Sequence, residues 1–141
     1  MTISFHADNI IPTGDWFFVF GSDEGGKHAK GQSRIAHVNF RAEYGCGRGP
    51  TGQAFAIPTK DKHLVILPLS QVKVSIAEFL EYARNNLAKH FFVTRVGCGP
   101  TGYADDQIGP LFKEAPANCS LPDAWQQFVV QKDKHTVVEL V

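Results

Sequence analysis

The chain has 141 residues, 43% apolar and 20% charged, the size and make-up of one compact domain with a real core. Fourteen basic residues balance 14 acidic ones, which argues against a protein held on nucleic acid by a broad basic face, because that binding rests on neutralising phosphates, and leaves room for a local basic pocket. No apolar run approaches the roughly 20 residues of a membrane helix, and the opening MTISFHADNIIPTGD lacks the basic-then-apolar order of a secretion signal.

DWFFVFGS (15–22) is a dense run of aromatic and β-branched residues that stops at glycine, which predicts a buried strand ending in a loop. GSDEGGKHAKGQS follows as a glycine-rich loop, and Ile35, Val38 and Ala42 then recur at helical spacing. QAFAIPTKD (53–61) reads as a short strand, and HLVILPL as a second short strand or an extended connector. From Ser70 onward Val72, Ile76, Phe79, Leu80, Ala83 and Leu87 share one face at period 3.6, with Glu78, Glu81 and Arg84 off it. HFFVTRVG (90–97) is the next strand, again stopping at glycine, and ADDQIGPLFKEA a short helix whose Asp105 and Asp106 suit the positive end of a helix dipole. ANCSLP reads as strand, and the tail AWQQFVVQKDKHTVVELV as a last helical turn or an edge strand.

Strands alternating with helices define an α/β domain with a parallel or mixed sheet, whose ligand crevice lies beyond the carboxyl ends of the strands. Loops 21–31, 58–62 and 97–104 leave such ends and converge there if their strands are neighbours. Their polar residues are Ser22, Asp23, His28, Lys30, Lys60, Asp61 and Arg95. A glycine-rich loop running into a helix N-terminus favours an anion such as phosphate, because unpaired N–H groups and the helix dipole point at it. The spacing is neither GxGxxG nor a P-loop, so ordinary tight turns remain an alternative. GCGPTGY (97–103) has the same context, with Thr101 and Tyr103 placed to touch a phosphate, sugar or base; core packing also explains Tyr103.

His28 is the candidate general acid or base of the first loop, against the commoner role of a loop histidine as a capping or solvated residue. Cys98 lies before a helix N-terminus, which favours a thiolate, although flanking glycines equally suit a cysteine that merely fills space. The cysteines Cys46, Cys98 and Cys119 are an odd number for a disulfide framework and lack metal spacing, so a reducing cytoplasm is expected, without a metal or cofactor. GCGRGPTG (45–52) nearly repeats the second loop but precedes its strand. It is expected to be structural and to lie at the opposite sheet edge unless that strand runs antiparallel.

VFGSDEGGKHAKGQSRIA, QAFAIPTKD, LPLSQVKVSIAEFLEYAR and FFVTRVGCGPTGYADDQIGPLF…LP occur in this order across residues 19–122. They resemble a small family of bacterial and phage proteins of the form VFGSN, GxHGxGAA, AIPTKD, GCGxAGY and IAPxF. The loop arrangement in turn resembles the macrodomain, which implies a single three-layer α/β/α domain with a mixed sheet over residues 1–141, binding ADP-ribose or related nucleotides. By that resemblance Gly25, Gly26, His28 and Gly31 belong to the first loop of the pocket, and Gly97, Cys98, Gly99, Thr101, Gly102 and Tyr103 to the second. Gly21, Ser22, Lys30 and Lys60, from the strand ends and loops beside them, complete the expected ligand-binding set. The chain departs from the family at Asp23, where Asn is usual, and at Ala29, Gln32, Ser33, Pro100 and Thr101.

The expected function is binding of an ADP-ribose-type or cyclic nucleotide ligand, with hydrolysis of an ADP-ribosyl or phosphoester bond through His28 or Asp23 if the protein is an enzyme. The alternative is a non-catalytic phage sponge that sequesters a nucleotide immune messenger in the host cytoplasm. The implied partner is a nucleotide-derived small molecule, with neither a membrane nor extended nucleic acid. Trp16, Phe40 and Trp125 serve either a homo-oligomer interface or the core.

Overall fold

A computed structural model of the chain describes residues 3–129. Its elements in chain order are β1 (Ser4–His6), β2 (Trp16–Asp23), α1 (Gly31–Phe40), β3 (Gly49–Thr51), β4 (Ala54–Lys60), α2 (Leu69–Arg84), β5 (His90–Val93), α3 (Asp105–Ile108) and β6 (Cys119–Pro122), with 3-10 turns at Gly109–Phe112 and Asp123–Trp125. They build one six-stranded sheet in the order β1-β6-β5-β2-β4-β3. All neighbouring strands are parallel except β3, which runs antiparallel to β4. Central strands of such a sheet are covered on both faces, which is why β2 and β4 read as nearly continuous apolar runs.

Successive side chains of a strand point to opposite faces, and the two cores follow that alternation. Phe18, Phe20, Ala54, Ala56 and Phe92 face α1, where Phe18 stacks on Phe40 with ring centroids 4.6 Å apart. Val19, Phe55, Ile57, Phe91 and Val93 face α2 and the turn at 109–112, against Val72, Ile76, Phe79 and Phe112. Phe40 and Trp125 are therefore core residues, and Trp16 packs partly buried against the α1-side core.

The helix at 69–84 carries the predicted apolar face as far as Ala83, but Leu87 lies beyond its end and is exposed. In α1 the buried residues are Ala36 and Phe40, while Val38 points to solvent. The expected stripe through Val38 and Ala42 fails because Arg41, with φ of 62°, ends the helix before Ala42. HLVILPL forms a connector with a single bridge between Lys60 and Ile66. Its turn is pinned by Asp61, whose carboxylate accepts from the amides of His63 and Val65 at 2.8 and 3.0 Å. Two strands, β1 and β3, have no counterpart in the sequence reading. The tail beyond residue 129 lies outside the described residues.

Because β3 is antiparallel, the loop before it lies at the carboxyl edge of β2, where it meets the first glycine loop. Gly45 N–H donates to Gly26 O at 2.9 Å, and Ser22 Oγ–H to Gly47 O at 2.5 Å. A Cβ on Gly26 would stand 2.4 Å from Cys46 N, and one on Gly47 only 2.0 Å from Asp23 O. The GCG of 45–47 is thus a prop behind the first loop, where backbone touches backbone. A Gly47→Ala substitution has no flexible side chain to displace, so it is expected to cost about 2–3 kcal/mol, at the upper end of overpacking effects. Thermal unfolding against wild type reads this directly, and an unchanged melting temperature would contradict the contact.

Candidate functional site

The loops after β1, β2, β4 and β5, with Pro122 at the end of β6, line a cavity of about 830 Å³ at one edge of the sheet. Of the residues expected in the site, Gly21, Ser22, Asp23, Lys30, Gly31, Lys60, Gly97, Cys98, Gly99 and Thr101 line it. Gly25, Gly26, His28, Gly102 and Tyr103 do not. Gly25 and Gly26 instead shape the loop against its prop, and Tyr103 donates its hydroxyl to Leu67 O at 2.5 Å, anchoring the second loop from below.

His28 is 1% exposed, with its Nε2 2.9 Å from Glu43 O and its ring edge-on to Phe20. It is placed as a core residue under the first loop, with no face turned to the cavity. Cys98 does line the cavity, but burial and then the neighbouring Asp105 carboxylate push its thiol up to about 12. A thiol so shifted stays protonated at neutral pH and is a weak nucleophile.

Three kinds of donor converge on the cavity. At the amino end of α1 the residues Gly31, Gln32 and Ser33 line it, and no side chain caps the helix. Their amides are the unpaired donors of a helix start, at the positive end of its dipole. In the loop 97–101 the amides of Gly97, Gly99 and Thr101 have no acceptor among the described residues. Gly97, with φ of 77°, lets this loop turn its backbone inward. The helix that follows it, α3, is only one turn long, so the loop amides themselves are the anion-binding feature here. Lys30 and Lys60 add charge, and their side chains make no ion pair or hydrogen bond among the described residues. Thr101 Oγ1 sits 3.1 Å from Thr59 Oγ1, tying the second loop to the end of β4.

The sequence reading missed the wall built by β1. His6 stacks on Phe92 with centroids 3.7 Å apart, its Nε2 2.9 Å from Val93 O and Nδ1 2.8 Å from Ser120 Oγ. Since a carbonyl only accepts, Nε2 carries the proton and Nδ1 accepts from Ser120. Burial lowers the His6 pKa, outweighing the Val93 bond that raises it, so the ring is a neutral wall. Asp8, Asn9 and Ile10 continue this wall. The available signal was faint: a strand of three residues shows no periodicity.

Arg95 locks this wall to the second loop. It grips Asp105 with two bonds of 3.1 and 2.6 Å and reaches Asp8 at 2.8 Å. Asp105 also accepts from Trp125 Nε1 at 2.8 Å. Burial raises the Asp105 pKa, but the bonds from Arg95 and Trp125 together outweigh it and hold the carboxyl below its usual range. Among the described residues no three His, Cys, Asp or Glu side chains gather as a metal site, and no helix is long and apolar enough to cross a membrane.

A three-layer α/β/α sandwich with this mixed sheet is macrodomain-like. No family model and no curated protein matches the sequence. Solved structures share the fold: DarTG of Thermosipho africanus, determined in complex with ADP-ribose, superposes with a TM-score of 0.53 at 15% identity. That match covers 77% of this chain and 38% of DarTG, so the chain spans well under half of that protein. A structural-genomics protein of Bacteroides thetaiotaomicron gives 0.51 at 13% identity, over 86% of this chain and 99% of its own.

The Asp105 lock has a definite pH signature. A carboxylate whose pKa is depressed by folding contributes stability above its unfolded pKa of about 4 and loses it as pH falls through the lower folded value. At neutral pH, Asp105→Asn is expected to cost about 2 kcal/mol, the scale of hydrogen bonds to a charged group. Melts from pH 7 down to pH 2 are expected to show the variant and wild type converging in acid.

Proposed function

We propose that this protein binds ADP-ribose or a close nucleotide relative, with the diphosphate between the amino end of α1 and the loop 97–101. The observation that carries this reading is the convergence of two sets of unpaired backbone amides on one cavity of about 830 Å³. Ligand pockets run from roughly 300 to 1,000 Å³, so a dinucleotide-sized molecule fits. The ADP-ribose complex of the structurally similar DarTG supports the choice of ligand, as does the resemblance of the loop motifs to the bacterial and phage family. In this reading Lys30 and Lys60 neutralise the diphosphate, and Gly99, with nothing within 4 Å of an added Cβ, leaves the backbone open to it.

A second reading is favoured by the placement of His28 and the protonated Cys98: the ligand is held without being cut. Sequestration of a cyclic nucleotide messenger by a phage-encoded protein would need no more than that. If turnover does occur, Asp23 is the expected residue at the cavity able to take a proton from water.

Calorimetry with ADP-ribose, its cyclic forms and cyclic di- and trinucleotides tests the pocket. Binding of one class is expected, and Lys60→Ala is expected to weaken it about tenfold, or about 1.4 kcal/mol. Failure of every nucleotide to bind would overturn the reading. Mass spectrometry of the incubated ligand separates the two versions: a product shows an enzyme, intact ligand a sponge.

A further inference from the structure

The turn between β4 and α2 holds a leucine in a conformation that leucine disfavours. Leu64 has φ of 67°, in the left-handed region that glycine enters freely and a bulky side chain does not. Such a residue persists only where its surroundings over-determine it. Here they do. The Asp61 carboxylate takes the amides of His63 and Val65, Asp61 N–H donates to Val65 O at 2.8 Å, and Leu64 N–H donates to Asp61 O at 3.0 Å. Lys27 Nζ, donating to Lys62 O at 2.9 Å, ties the turn to the first glycine loop.

The strained turn presents an apolar side chain to the cavity. Of the exposed run Leu64, Val65 and Ile66, Leu64 alone lines it. Among the described residues, the large apolar side chains that are about half exposed and line the cavity are Leu64, at 51%, and Ile10, at 48%. They stand at its two ends. Ile10 follows β1 and Leu64 follows β4, four places apart in the strand order, which is about 19 Å at the spacing of neighbouring strands. The loops that carry the open amides leave β5 and β2, between them. The cavity thus offers an aliphatic side chain at either end and anion donors in its middle.

We propose that the ligand is a dinucleotide, two bases joined through phosphates, with one base lying on Ile10 and the other on Leu64. The proposal rests on the nucleotide reading above and names the ligand class within it. An aliphatic side chain gains nothing from water or phosphate, but it covers the flat face of a base, and the contact removes apolar surface of both from water. ADP-ribose has one base, so it leaves one of the two side chains open to solvent. A second base on the terminal ribose covers both.

The test compares three ligands by calorimetry: ADP-ribose, diadenosine diphosphate, which is ADP-ribose carrying a second adenine on its terminal ribose, and a cyclic dinucleotide of adenine. Expected is binding of a two-base ligand about tenfold tighter than ADP-ribose, or tighter still, and the better of the two gives the linkage. Leu64→Ala leaves one aliphatic end, so it is expected to narrow that advantage to within about threefold. Leu64→Gly frees the backbone as well, and is expected to raise the melting temperature by about 2–4 °C while narrowing the advantage equally. Two-base ligands that bind no tighter than ADP-ribose, or an unchanged advantage in Leu64→Ala, overturn the proposal and leave the nucleotide reading standing. A melting temperature that does not rise in Leu64→Gly overturns the strain from which the role of Leu64 is inferred. If none of the three ligands binds, the nucleotide reading falls and the dinucleotide falls with it. The wild-type comparison alone decides the matter if a variant does not fold.

Discussion

Parallel hydrogen bonding of β2 on both of its edges is the constraint on which the molecule depends. With β5 on one side and β4 on the other running the same way, the chain must leave all three strands at the same end. β1 and β6 extend the parallel set, and five loops gather where the strands stop. The return of the chain along α1 then presents the amino end of that helix to the same place. Strand direction collects the parts of the cavity, and glycines at positive φ such as Gly97 turn the loop backbone toward it.

The charges at this edge divide into two groups by their partners. Asp8, Arg95 and Asp105 are committed to one another and to Trp125, so they hold the loops in position and are poorly placed to meet a ligand. The side chains of Lys30 and Lys60 make no ion pair among the described residues, Asp23 meets only the Lys27 amide, and all three line the cavity with the open amides. A part-buried side chain in a fully satisfied network gives rigidity, which is the role of Asp105 here.

Much of this was legible in the sequence, because long periodic or densely apolar segments announce themselves. The strands at 16–23 and 90–93, the helix at 69–84 and the two glycine loops were each readable from pattern alone. β1 and β3 were not, since three residues in an extended conformation leave no period to detect. His28 shows a different limit. Its position in a polar, glycine-rich loop suggested solvent, but the 45–47 segment folds over that loop from twenty residues away, and the ring ends beneath it. The same non-local contact explains the repeated GCG: one copy faces the cavity, and the other stands behind a loop that does.

That backbone-to-backbone seam between 23–26 and 45–47 also bears on how such a pocket can diverge. The closest contacts across the seam are with backbone atoms, so no side chain at those points could shrink to admit a larger residue at Gly26 or Gly47. Variation in what the cavity holds is thereby channelled away from the seam glycines and into residues 27, 29–33 and 98–101, which line the cavity outside the seam. A lineage can exchange its ligand at those positions while the frame that presents it stays unchanged.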